Sequence, residues 1–144
     1  MLTIRRLAVA EAQILIEGAA QKAREIGVPM CIAVCDESGH LIRFERMDGG
    51  KISSISIAID KAFTGAVARR GTHVYNQLCV PGSQTFGIHI TNEGHFSIIG
   101  GGLPVTVAGE IVGGIGLSSG TAEQDLVCAE AAIKFFHERT GYRD

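Results

Sequence analysis

The links between the apolar segments constrain this chain most, because they are too short for anything but hairpins. Four residues, Asp36 to Gly39, separate the apolar stretch 30–35 from 40–46. Three, Asn92-Glu93-Gly94, separate 87–91 from 95–99, and two, Gly109-Glu110, separate 104–108 from 111–117. Links this short join antiparallel neighbours, whereas parallel neighbours need a crossover of about a dozen residues or more. The pattern predicts a mainly antiparallel sheet of five to six strands. Helical periodicity fills the rest. Ala12, Leu15, Ala19, Ala23 and Ile26 mark a first helix, stopped by Gly27 and Pro29. Ile52, Ile55, Ile59, Phe63 and Ala66 mark the core stripe of a second over 51–70. Ala122, Leu126, Ala129, Ile133 and Phe136 mark the core side of a last one, entered through a Thr121/Gln124 capping box and ending near Gly141. Residues 71–86 read as loop with one helical turn near 74–78. The fold class is α+β, a single domain over 1–144 with helices packed on the sheet.

The second helix has a further property. Ile57, Lys61, Gly65 and Ala68 lie opposite its predicted core stripe and form a small, apolar face with one lysine. A solvated face carries more charge, so both sides of this helix are expected to be covered, one of them by another subunit. Charge excludes other partners. Thirteen Lys plus Arg against 15 Asp plus Glu leave a net charge of −2, with no basic footprint for nucleic acid, and 46% apolar residues exclude a disordered chain. Arg5 and Arg6 before Leu7-Ala8-Val9-Ala10 mimic an export signal, but Glu11, Gln13 and Glu17 interrupt the apolar run. Neither a signal nor a membrane span is read here, and the expected compartment is the cytoplasm. Cys31, Cys35, Cys79 and Cys128 are then reduced, buried small hydrophobes. On a strand Cys31 and Cys35 share a face at about 13 Å, too far apart for one zinc ion.

Nineteen glycines make room for close backbone approach and tight turns. Gly113-Gly114-Ile115-Gly116 through Gly120, followed by a capped helix, imitates a dinucleotide-binding loop. Only 24 residues follow Gly120, too few for the βαβ unit and its acidic ribose partner, so no nucleotide cofactor is expected. Ser118, Ser119, Thr121 and the free N–H groups of that helix either hold an anionic oxygen or serve as turn and cap. Gly101 and Gly102, within the Gly100–Gly102 run, either admit a planar ligand or form a tight loop. Arg69 and Arg70, followed by Thr72 and His73, combine two fixed cations, a hydroxyl and an imidazole. These are the parts for a haem with two propionates and an iron-ligating His73, or equally a cationic helix end with a solvated histidine. Asp36, Arg46, Asp48 and Lys61 are candidate catalytic groups for a small anionic substrate, or else members of an ion-pair network.

Several segments together resemble the GlcG/HbpS-like family: Ile32 to Leu41 with its Asp36-Glu-Ser-Gly39 turn, Arg46-Met-Asp-Gly49, Lys61-Ala-Phe-Thr64, Gly101-Gly-Leu-Pro104, Gly109 to Ser118, and Gln124-Asp125. The resemblance implies a profilin-like sandwich, often a tetramer or octamer, and a homo-oligomer that binds a small molecule. In haem-binding members a threonine after the Lys-Ala helix is implicated in haem contact, and Thr72 is the matching position. Corrinoid-linked members are thought to use an N-terminal histidine, and this chain has none before His40. The expected function is binding of haem or a related tetrapyrrole such as a corrinoid, accessory to a catabolic pathway. The alternative is an isomerase- or hydrolase-type enzyme for a small carboxylate or carbonyl metabolite.

Overall fold

A computed structural model describes all 144 residues, Met1–Asp144. In chain order the elements are α1 (Val9–Ile26), β1 (Cys31–Asp36), β2 (Leu41–Arg46), α2 (Ser54–Val67), α3 (Thr72–Leu78), β3 (Gly102–Val107), β4 (Glu110–Ser118) and α4 (Ala122–Thr140). The four strands form one sheet in the order β2-β1-β4-β3, with every neighbour antiparallel. The two hairpins lie side by side. Ala108 (φ 52°) and Gly109 (φ 76°) turn β3 into β4 through the left-handed region that two-residue hairpins need.

β1 is buried along its whole length because both faces of the sheet are covered. Ile32 and Val34 join Ile115, Leu117 and Val105 against Leu15, Ile16 and Ala19 of α1 and Ala129, Ala132 and Phe136 of α4. Cys31, Ala33 and Cys35 face the other way, against Ala58, Ala62 and Ala66 of α2. All four cysteines are free and buried, as their composition and context predict. The capping box at α4 forms: Thr121 Oγ1 accepts from Gln124 N at 3.2 Å and Gln124 Oε1 accepts from Thr121 N at 2.9 Å.

Three expectations need correction. The sheet has four strands, not five to six. Residues 87–99 form two single 3₁₀ turns, Ile88–Ile90 and Asn92–Gly94, and irregular chain. Gly87, Asn92, Glu93 and Gly94 all take positive φ, which breaks any extended ladder. Part of that segment's backbone is bound by a side chain instead: Thr64 Oγ1 of α2 accepts from Ser97 N at 2.8 Å. The buried side of α2 is also displaced from the predicted stripe, of which only Ala66 is fully buried. Ala58, Lys61, Ala62 and Gly65 face the sheet, while Ile52 is 78% exposed and Ile55, Ile59 and Phe63 are half-buried. The cause is β4. A β-carbon at Gly114 would overlap the Ala62 carbonyl, and one at Gly116 the Ala58 carbonyl. The helix axis therefore lies so close to β4 that alanines, not isoleucines, stand over its glycines. Finally, residues 72–78 make two turns of helix rather than one. No helix is long and apolar enough to cross a membrane.

Candidate functional site

Lys61 occupies the centre of the α2–sheet contact, in space left by two glycines. β-Carbons built at Gly101 and Gly116 would stand 3.0 Å from Lys61 Nζ and Cβ respectively. Lys61 is 1% exposed and its ammonium donates to Asp125 Oδ2 at 2.8 Å and to the Leu117 carbonyl at 2.9 Å. The second carboxylate oxygen, Asp125 Oδ1, accepts from Gly120 N at 3.0 Å. Burial pushes the Lys61 ammonium below its ordinary range and the Asp125 carboxyl above its own, in each case against the pull of the partner's charge. The pair is sealed inside the protein and joins α2, β4 and the start of α4. Lys61 stands out from sequence as a candidate site residue, whereas Asp125 enters only within the Gln124-Asp125 segment of the family resemblance, because an acid in the first turn of a helix is ordinarily accounted for by the helix dipole.

Thr72 is fully buried beside it. Its hydroxyl donates to the Ile99 carbonyl at 2.6 Å and accepts from Gly102 N at 2.9 Å. Thr72 thereby pins both ends of the Gly100–Gly102 run. Gly102 crosses so near α2 that a β-carbon there would overlap the Lys61 carbonyl and come 2.7 Å from Thr72 Cγ2. Gly101 (φ 122°) takes a backbone conformation that L side chains rarely adopt.

Over this pinned loop opens a groove of about 210 Å³, walled by His73, Asn76 and Gln77 of α3 and by Ala122, Glu123 and Leu126 of α4, with Gly100 beneath. His73 is exposed. Its ring folds over Gly71, where a β-carbon would stand 2.6 Å from Nδ1, so the glycine sets the ring's position. Of the candidate site residues read from sequence, His73 lines the groove together with Gly100 of the glycine run; Gly101, Gly102 and Thr72 build its support. Asn76, Gln77 and Leu126 were not legible as site residues, because no spacing links α3 to α4 before the fold joins them.

The other candidates lie elsewhere. Ser118 Oγ donates to Ser54 Oγ at 3.0 Å, Ser119 Oγ accepts from Lys51 N at 3.1 Å, and Thr121 caps α4, so all three hydroxyls are engaged. Arg69 lines a separate hollow with Glu37 and Glu110, and Arg70 lies 6.0 Å above the Tyr75 ring; neither arginine lines the groove. Asp36, Arg46, Asp48 and Lys61 are not brought together. Asp36 sits at the end of β1 next to Gly113, accepting from Ser38 N and His40 N; Arg46 pairs with Cys31 at the other end, about 16 Å along the strand.

An antiparallel four-stranded sheet with one helix on one face and two on the other, carrying a glycine-supported groove with an exposed imidazole, defines the class. The sequence matches the family described as haem degrading protein HbpS-like over residues 7–134, and the chain belongs to that family, which also includes GlcG. An uncharacterized 15.0 kDa protein from the dhaT-dhaS intergenic region of Citrobacter freundii is 37% identical over 94% of this chain and 95% of its own length. The crystal structure of Klebsiella pneumoniae protein ORFY superposes with a TM-score of 0.92, at 33% identity and 94% coverage of both chains. A crystal structure described as a PduOC:Heme complex superposes with a TM-score of 0.86, at 28% identity over 90% of this chain and 94% of that one.

Proposed function

We propose that this chain binds haem or a related tetrapyrrole in the His73 groove, as a homo-oligomer accessory to a catabolic pathway. The observation that carries the reading is the exposed His73 imidazole, set by Gly71 at the mouth of a groove floored by Gly100. That arrangement fits a flat metallated macrocycle: one nitrogen ligand, a floor without a β-carbon, and amide groups from Asn76 and Gln77 at the edge. A bound haem would supply an iron centre, and His73 is the residue of the groove that would hold it. Asn76 and Gln77 orient the rim, and Thr72 holds the Gly100–Gly102 floor rigid through its two backbone hydrogen bonds.

Size argues for a shared site. A groove of about 210 Å³ is smaller than the roughly 300–1,000 Å³ that encloses a drug-sized ligand, and a tetrapyrrole is larger still. One protomer covers part of the macrocycle, and a second copy related by a two-fold axis covers the rest. Ile52, Phe86, Ile90 and Ile99 are among the large apolar side chains left exposed on the single chain.

A hemin titration followed by absorbance tests this. The wild type is expected to give a saturable, shifted Soret band, weakened at least tenfold in His73→Ala with folding unchanged. An identical titration in His73→Ala would reject the site, and a non-saturable one in the wild type would reject the ligand.

A further inference from the structure

The two edges of the sheet are finished differently. Along β3, Pro104 has no N–H to offer, and the chain's own C-terminal part closes the rest. His137 Nε2 bonds to the Thr106 carbonyl at 3.0 Å, and Ala108 N donates to the Arg143 carbonyl at 2.7 Å. β2, at the opposite edge, is left open. Met47 N donates to the Met30 carbonyl, and an antiparallel ladder alternates, so Arg43 and Glu45 turn their backbone groups toward β1 while Phe44 and Arg46 turn theirs outward. None of the backbone bonds made outside the helices and strands reaches those outward groups. A strand open in this way, without proline or glycine, is a template for another strand.

Side chains on the same edge also lack partners. Arg43, Glu45 and Arg46 are exposed, and none of them has an ion-pair partner within the chain. Phe44, between them, is half-buried with Ile55 and Ile59 of α2 at the margin of the cluster that this helix makes with β1, and Ile52 beside them is 78% exposed. Open backbone, unpaired charge and an apolar margin therefore meet at Phe44.

The charges select one register. Outward backbone groups pair only with outward ones, so a second β2 can be set against the first in steps of two residues. With Phe44 opposite Phe44 across a two-fold axis, the two phenylalanines exchange both N–H···O bonds. Each Arg43 then stands opposite the other copy's Glu45, at a Cα separation of about 4.5 Å. A step one way sets Arg43 against Arg43, and a step the other way sets Glu45 against Glu45. Ile42, which the β1 pairing skips between Val34 and Cys35, keeps the regular ladder short.

We infer that β2 pairs edge to edge with β2 of a second copy of this chain, with Phe44 on the axis and Arg43 against Glu45. Two four-stranded sheets become one of eight strands, and the α2 margins of both copies flank the joint on one face. β2 lies across the sheet from β3, whose first residue, Gly102, belongs to the glycine run under the His73 groove. The contact is thus separate from the haem site and is tested without haem.

The test is sedimentation of the haem-free chain over a concentration series. The wild type should show a step that doubles its mass. Arg43→Glu opposes like charges twice across the axis, and Glu45→Arg does so with the opposite sign. Each should move the step to at least about tenfold higher concentration while the circular dichroism spectrum is unchanged. The double variant Arg43→Glu/Glu45→Arg, and an equimolar mixture of the two single variants, both restore opposite pairs and should return the step to its wild-type position. The Phe44 amide should be protected from hydrogen exchange in the wild-type dimer and exchange at least about tenfold faster in Arg43→Glu. A monomeric wild type, an unmoved step in either single variant, failure of the double variant or the mixture to recover, or a Phe44 amide that exchanges equally fast in both proteins would overturn the pairing.

Discussion

Removing Lys61 while keeping Asp125 should cost more stability than almost any other single change in this chain. In Lys61→Met the methionine fills most of the same space, so the loss is electrostatic: a carboxylate 2% exposed keeps its bond from Gly120 N but loses its counter-charge at 2.8 Å. Breaking a buried pair from one side costs about 3–5 kcal/mol. For a urea slope near 2 kcal/mol/M, that lowers the unfolding midpoint by about 2 M. The penalty also carries a pH signature. Burial already raises the Asp125 carboxyl above its unfolded value, and without Lys61 the rise is larger. The unfolded state then ionises first as pH rises, so Lys61→Met is most stable below the ordinary carboxylate range and loses stability as pH climbs toward the raised folded value. Lys61→Met/Asp125→Asn removes both charges and keeps an acceptor for Gly120 N; it should recover most of the loss, giving a coupling of about 2–3 kcal/mol. Urea melts of the three proteins at pH 5 and pH 8 measure all of this. A Lys61→Met midpoint within about 0.3 M of wild type, or no recovery in the double variant, would refute the sealed-pair reasoning.

Other perturbations follow from the same geometry. Thr72→Val strands the Ile99 carbonyl and the Gly102 amide without their partner and should cost about 2–4 kcal/mol in a urea melt, whereas Thr72→Ser should stay within about 1–2 kcal/mol of wild type. Gly116→Ala puts a methyl into the Ala58 carbonyl and should destabilise by at least about 3 kcal/mol, while Gly82→Ala, whose added carbon meets nothing within 4 Å, pays only for its left-handed backbone and should lose about 1–2 kcal/mol in thermal melts. Arg6 holds the Glu37 carboxylate down to about 2 through a 2.6 Å contact. That contribution is present above the ordinary glutamate range and is lost as pH falls from about 4.5 toward 2, so Arg6→Ala should flatten the acid limb of the stability–pH curve between those values.

The hairpins were legible because turn chemistry is local. Asp36-Glu-Ser-Gly39 and Gly109-Glu110 each announce their reversal, and β1, β2, β3 and β4 lie within or close to the ranges read from sequence. Residues 87–99 alternate as a strand would, yet Gly87, Asn92, Glu93 and Gly94 hold positive φ and Thr64 captures the backbone. Those are tertiary facts. The α2 stripe misleads for a related reason: hydrophobicity favours Ile52, Ile55 and Ile59 as the core side, but the glycines of β4 leave room only for Ala58, Lys61 and Ala62. Which side wins is decided by the partner strand, about 50 residues away in sequence. At the candidate site His73, Thr72 and the Gly100–Gly102 run were visible as local clusters. Asp125 and Leu126 were not, since only the completed sheet brings the start of α4 over α3.

The shared tetrapyrrole site is tested most directly by stoichiometry. Hemin titrated into a known concentration of wild-type chain, with mass measured by sedimentation before and after saturation, should reach its endpoint at one haem per two chains, with the haem co-sedimenting in an even-numbered oligomer. Saturation at one haem per chain on a monomer would contradict the account.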